Sequence, residues 1–143
     1  MNNSEDGMLA FHIGGDEAEL VRVSILREEG DGWFSAQVSI AVGAFRGSYP
    51  ASFDSSAFSN FLRELEAMSR TVSGTARFTS YEAQLELELA CDATGHIQLR
   101  GEAMDEAGTG NTLVFWLEMD QTYLPALIGS LQAALRRFPV RAV

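Results

Sequence analysis

The side chains best supplied for chemistry in this sequence are carboxylates, and they come in pairs. Glu86 and Glu88 alternate along one segment, Asp105 and Glu106 are adjacent, and Glu118 and Asp120 sit two residues apart. Two carboxylates can run glycoside hydrolysis or hold a divalent cation. Acids at alternating strand positions also make an ordinary solvated face, and Asp120 suits a helix start better than a ligand set. A nucleophilic mechanism needs a base, and the two histidines, His12 and His96, stand in no nucleophile motif. The single cysteine, Cys91, is in phase with Leu85, Leu87 and Leu89 and reads as a small buried apolar residue. One cysteine and two scattered histidines do not supply a structural zinc set. Gly14-Gly15 and Gly108-Thr109-Gly110 read as turns, because the chain has no lysine for a phosphate loop. The expectation is a non-enzyme with no metal and no cofactor.

What remains is a surface. Trp33 and Trp116 fall out of phase with the main apolar faces of their segments. A tryptophan among acids can anchor a partner, since tryptophan is enriched at interface hot spots. Alternatively, the far face of the strand is covered by another part of the chain. Trp116 with Glu86, Glu88 and Glu118 forms the candidate partner surface.

The elements that must position these residues follow from hydrophobic period. Period 2 marks strands at Leu9, Phe11 and Ile13, then at Val21, Val23 and Ile25. It continues through Phe34, Ala36, Val38, Ile40 and Val42, and more weakly through Phe45, Tyr49 and Phe53. From Phe58 the spacing becomes helical: Phe61, Leu62, Leu65 and Met68 share one face. Asp54 or Ser55 can cap that helix, and Gly74 ends the segment. Strands resume at 76–80, at Leu85, Leu87 and Leu89, and at Ile97, Leu99 and Ala103. Asp92-Ala93-Thr94-Gly95 is a type I turn with a glycine bulge, which sets Leu89 opposite Leu99 and Glu88 opposite Arg100. Leu113 to Met119 is apolar on both faces, the mark of a central or doubly covered strand. A second helix carries Leu124, Leu127, Ile128, Leu131 and Leu135; Pro125 requires it to begin near Thr122, and Pro139 stops it.

The fold class is therefore α+β: an antiparallel sheet or pair of sheets of about eight strands with two amphipathic helices, in the order ββββαββββα. Short connections favour antiparallel neighbours. Phe53-Asp54 maps onto Met119-Asp120 at an offset of 66, and the helix faces follow at the same offset, so an internal pseudo-repeat is one reading and chance alignment of two amphipathic helices the other. Residues 1–7 read as a flexible tail and 8–143 as one domain.

Composition narrows the partner. Twenty acids against ten basic residues, all arginine, give a formal net charge of −10. That field repels nucleic acid and anionic membrane and suits a basic protein. Arginine without lysine fits a GC-rich bacterial genome. The acidic start lacks a signal-peptide pattern, and one cysteine agrees with a reducing compartment, so the cytoplasm is the expected location.

Five stretches carry a family resemblance: Phe58 to Leu65; Gly74-Thr75-Ala76; Leu85-Glu86-Leu87-Glu88-Leu89; Gly95-His96-Ile97; and Asp120-Gln121-Thr122-Tyr123-Leu124. Over about residues 33–135 the chain resembles small bacterial proteins related to the WapI-type immunity proteins. The resemblance implies neutralisation of a toxin by binding, and it carries over no toxin-contacting residue. Two other classes compete with a binding module: a small-ligand or carboxylate-dependent enzyme using Glu86, Glu88 or Glu118, and a homo-oligomer joined through Trp116.

Overall fold

The computed structural model describes residues 7–16 and 19–141. Positions 1–6 of the expected tail, and the last two residues of the expected domain, lie outside the described residues. Eight strands and two helices follow in the expected order: β1 (Met8–Asp16), β2 (Glu19–Gly30), β3 (Trp33–Val42), β4 (Phe45–Asp54), α1 (Ser55–Thr71), β5 (Gly74–Phe78), β6 (Leu85–Cys91), β7 (His96–Met104), β8 (Thr112–Asp120) and α2 (Leu124–Arg137). The strands form two antiparallel meanders, β1-β2-β3-β4 and β5-β6-β7-β8. Each helix leaves the end of one sheet and packs beside the first strand of the other, α1 on β5 and α2 on β1.

The halves are equivalent in burial as well as in order. Tyr49, Ala51, Phe53, Phe58, Phe61, Leu65 and Met68 are buried, and so are Phe115, Leu117, Met119, Leu124, Leu127, Leu131 and Ala134, each 66 positions on. The two helices touch, and Gln132 Nε2 donates to Glu66 Oε2 at 3.0 Å, a contact between equivalent positions. A residue meeting its own equivalent is what a two-fold axis produces.

Phenylalanine fills the centre. Phe78 lies with its ring 5.1 Å from Phe58, 5.2 Å from Phe53, 5.4 Å from Phe11 and 5.7 Å from Phe61, mostly edge to face. Such tilted pairs place ring edges against ring faces, the arrangement that the aromatic quadrupole favours. Because Phe78 comes from β5, Phe11 from β1 and Phe58 from α1, this cluster joins both sheets and a helix.

The Asp92–Gly95 turn forms as expected. Asp92 Oδ1 accepts from the Thr94 amide at 2.9 Å, the Thr94 hydroxyl at 2.7 Å and the His96 amide at 3.1 Å. These bonds, the hydroxyl's first, hold the carboxyl below its usual pKa. Leu89 faces Leu99, and Glu88 faces Arg100. Gly95 has φ +88, and a Cβ there would lie 2.6 Å from the Gln121 side chain. Gly95→Ala is expected to cost about 1–3 kcal/mol in denaturant unfolding. Gly108→Ala, at φ +79 with open space around it, should cost less, because only the backbone conformation opposes it.

Several details differ from expectation. Asp54 occupies the cap position of α1 but does not cap it: Oδ1 accepts from the Tyr81 amide and Oδ2 from the Ser56 hydroxyl, each at 2.9 Å. The carboxylate is spent on a loop that the helix start must hold down. The C-terminal cap of α1 is Val72, at φ 50, with Gly74 already in β5. Asp120 does act as a helix-start residue, accepting from the Gln121 amide at 2.9 Å and the Thr122 hydroxyl at 3.2 Å. A 3-10 turn, Gln121–Tyr123, precedes α2. Phe45 is 64% exposed rather than in phase with the core, because it lies at the β3–β4 turn. Most consequentially, β8 is an edge strand, not a central one, and its second face is bare.

Candidate binding face on the second sheet

One row of the second sheet's outer face runs Arg77, Glu88, Arg100, Trp116 from β5 to β8. Alternation fixes it: each residue is one step from buried neighbours on the same strand, so each points to the opposite face, into solvent. Trp116 is 66% exposed, and among the described residues no other element covers it. A tryptophan so placed leaves a large apolar surface in water, which a partner could remove.

The acids around it are partly neutralised. Arg77 donates to Glu88 at 2.9 Å, Arg100 donates to Glu102 at 3.0 Å, and His96 Nε2 lies 3.5 Å from Glu118 Oε1. These pairs are substantially exposed and contribute little to stability. Glu86 differs. It lies directly opposite Glu102 across the β6–β7 ladder, and no ion pair or hydrogen bond engages its carboxylate among the described residues. Like charges opposed across strands repel, so an incoming cation is favoured there. The face as a whole carries Glu86, Glu88, Glu102, Glu118 and Asp120 against Arg77 and Arg100.

The first sheet's outer face has a different chemistry. Ser24, Ser35, Gln37, Ser39, Ser48 and Ser52 line it, with Arg22 and Arg27 in the same rows, and Gln37 donates to Ser48 at 2.8 Å. Pseudo-equivalent sheets thus present unlike surfaces, and the acidic one carries the exposed tryptophan.

The structure thus places all four expected surface residues on one face: Trp116 and Glu88 in one row, Glu86 in the next, and Glu118 beside Trp116 on β8. Trp33 is not part of it; it lies on β3, with its ring 6.0 Å from that of Tyr81 in the β5–β6 connection. Asp105 is spent on loop closure, accepting from the Asn111 amide at 2.8 Å. His12 is engaged through Nε2 with the Gly14 carbonyl at 3.2 Å and through Nδ1, which accepts from Arg22 at 3.4 Å. Cys91 is half-buried, and desolvation, then the Asp92 and Asp120 carboxylates, push its thiol pKa up, away from a reactive thiolate.

Sequence reasoning missed Gln84, a buried polar residue that ties the halves together. Its Oε1 accepts from the Ser52 amide at 3.0 Å, while its carbonyl accepts from the Tyr49 hydroxyl at 2.7 Å. Burial, then the Asp105 charge, pushes the Tyr49 phenol up, so it stays a donor. An open groove of about 700 Å³ runs beside these residues, and the hydrogen bonds of Tyr49, Gln84 and Asp105 are made to the protein itself. Gln84→Ala is expected to cost about 1–3 kcal/mol by leaving the Ser52 amide unpaired, measured as a shift in the urea midpoint.

The model of the immunity protein WapI-like family matches residues 8–139. The chain belongs to the WapI-like immunity protein family. Membership points to an immunity-type, non-catalytic role and to a toxin as partner. No curated protein matches the sequence. Among solved structures, the chain is similar to one titled "Crystal structures of trypanosoma bruciei MRP1/MRP2", at 13% identity and a TM-score of 0.48, over 92% of this chain and 84% of that one. No helix among the described residues is long and apolar enough to cross a membrane.

Proposed function

We propose that this protein is a cytoplasmic bacterial immunity protein that neutralises a basic toxin by covering it with the outer face of its second sheet. The observation that carries the reading is Trp116, 66% exposed on a face where acids outnumber arginines, in a chain of an immunity family. Trp116 supplies the apolar anchor. Glu86, Glu88 and Glu118 supply the charge that a basic partner complements. A formal charge of −10 would accelerate association and make it sensitive to salt.

The same charge opposes a homo-oligomer built on this face, because two copies would bring like fields together. A small-ligand site has less support: the open groove's central polar groups bond to one another.

Affinity capture from native-cell lysate tests the reading. A single basic protein bearing a toxin domain should be retained in low salt, identified by mass spectrometry, and released as salt rises. Capture that is equally strong in low and high salt would remove the electrostatic part. Capture of no toxin would remove the reading.

A further inference from the structure

We infer that the free edge of β8 receives an extended, basic segment of the partner as a ninth strand. This rests on the toxin-binding reading and specifies how the partner is held.

The direction of the β8 amides follows from the hydrogen bonds around it. Asp92 donates its amide to the His96 carbonyl at 2.9 Å, and Met104 donates to the Gln84 carbonyl at 2.9 Å, so even-numbered residues of β7 face β6. Asp105 donates to the Asn111 carbonyl at 3.2 Å, and odd-numbered residues face β8. The β7–β8 register pairs Leu99 with Leu117 and Ile97 with Met119, with no bulge. Backbone groups alternate along an antiparallel strand. The amides of Val114, Trp116 and Glu118 therefore point away from β7, into solvent.

The other three edges are each engaged in part. β1 lies against α2. β5 lies against α1, where Glu64 Oε1 accepts the Arg77 amide at 2.7 Å. On β4, Gln84 takes the Ser52 amide, and Pro50 has no amide to offer. The comparison with β4 is residue for residue: at the offset of 66, Pro50 becomes Trp116 and Ser52 becomes Glu118. Where the first half blocks two outward positions of its edge with proline and glutamine, the second leaves the equivalent positions open and sets a tryptophan at one of them. Among the described residues, no hydrogen bond from outside the sheet reaches the backbone of 113–119.

An open edge is a template for another strand, and natural proteins usually block it. Here the block is selective. β8 carries Glu118 and Asp120 and no basic residue, and the rows behind it add Glu86, Glu88 and Glu102. A second copy would bring the same acids to the edge. A strand with arginine or lysine at alternate positions would instead meet them, its backbone bonding to Val114, Trp116 and Glu118 in the manner of strand addition.

The probe is a capped nonapeptide of alternating arginine and valine, titrated at low salt into the isotope-labelled full chain and followed by NMR. The expected result is that the amides of Val114, Trp116 and Glu118 shift most and exchange at least about 10-fold more slowly, as new hydrogen bonds require. Val114→Pro removes an outward amide without touching the β7 ladder, which edge positions tolerate. It should abolish the protection, while Val114→Ala keeps it. The same peptide N-methylated at alternate residues should fail against the unaltered chain, so the test stands even if the proline variant does not fold. Shifts spread over the acidic face without protection of those three amides would overturn the inference, as would equal binding by the N-methylated peptide. Either result would leave toxin capture untouched; a capture that yields no toxin would instead overturn the reading beneath it.

Discussion

Phe78→Ala is expected to destabilise the fold by about 3–5 kcal/mol, the range for removing a buried phenylalanine ring. For a chain of this length that lowers the thermal midpoint by about 10–20 °C. The magnitude follows from position. Four other phenylalanine rings lie within 5.7 Å of it, contributed by β1, β4 and α1. The cavity cannot be refilled by movement of one element, because the neighbours are held by three elements, two strands of the first sheet and α1. Circular dichroism melting checks it. A loss below about 1 kcal/mol would mean that the two sheets are not joined through this cluster.

Trp116→Ala is expected to act in the opposite way, weakening toxin binding at least about 30-fold while leaving the melting midpoint within about a degree. Central interface tryptophans commonly contribute about 2 kcal/mol or more, and Trp116 at 66% exposure supports no core. Glu86→Arg should add a smaller loss of binding that grows at low salt. It would also relieve the opposition with Glu102, so the free protein should be no less stable. Calorimetry of the variant with the captured toxin separates the two effects. Unchanged affinity on loss of Trp116 would remove this face from the interface.

Much of this architecture is legible in the sequence because it is local. The Asp92–Gly95 turn names its own geometry, and the turn then sets Leu89 against Leu99 and Glu88 against Arg100. The apolar faces of α1 and α2 follow from spacing alone, and so does the start of α2 from Asp120 and Pro125. What is not legible is long-range order. Alternation shows that Leu113–Met119 has two apolar faces, but not that β8 stands at an edge with Trp116 in water. Sheet order decides that, and among the described residues β8 pairs only with β7. Asp54 fails to cap α1 because the Tyr81 amide, 27 positions away, claims it. Gln84 shows no signal at all in its neighbours, since its partners Tyr49 and Ser52 lie in the other half of the chain. The candidate face was legible as residue types; that those residues share one face is a product of the strand order.

Rescue of growth tests the central claim most directly. Cells expressing the captured toxin domain from one promoter would carry the protein, or its Trp116→Ala variant with Glu118→Arg, on another. Growth should be restored by the unaltered protein and not by the double variant, with both present at equal soluble levels. Arrest that persists in the presence of the unaltered protein would contradict neutralisation by binding.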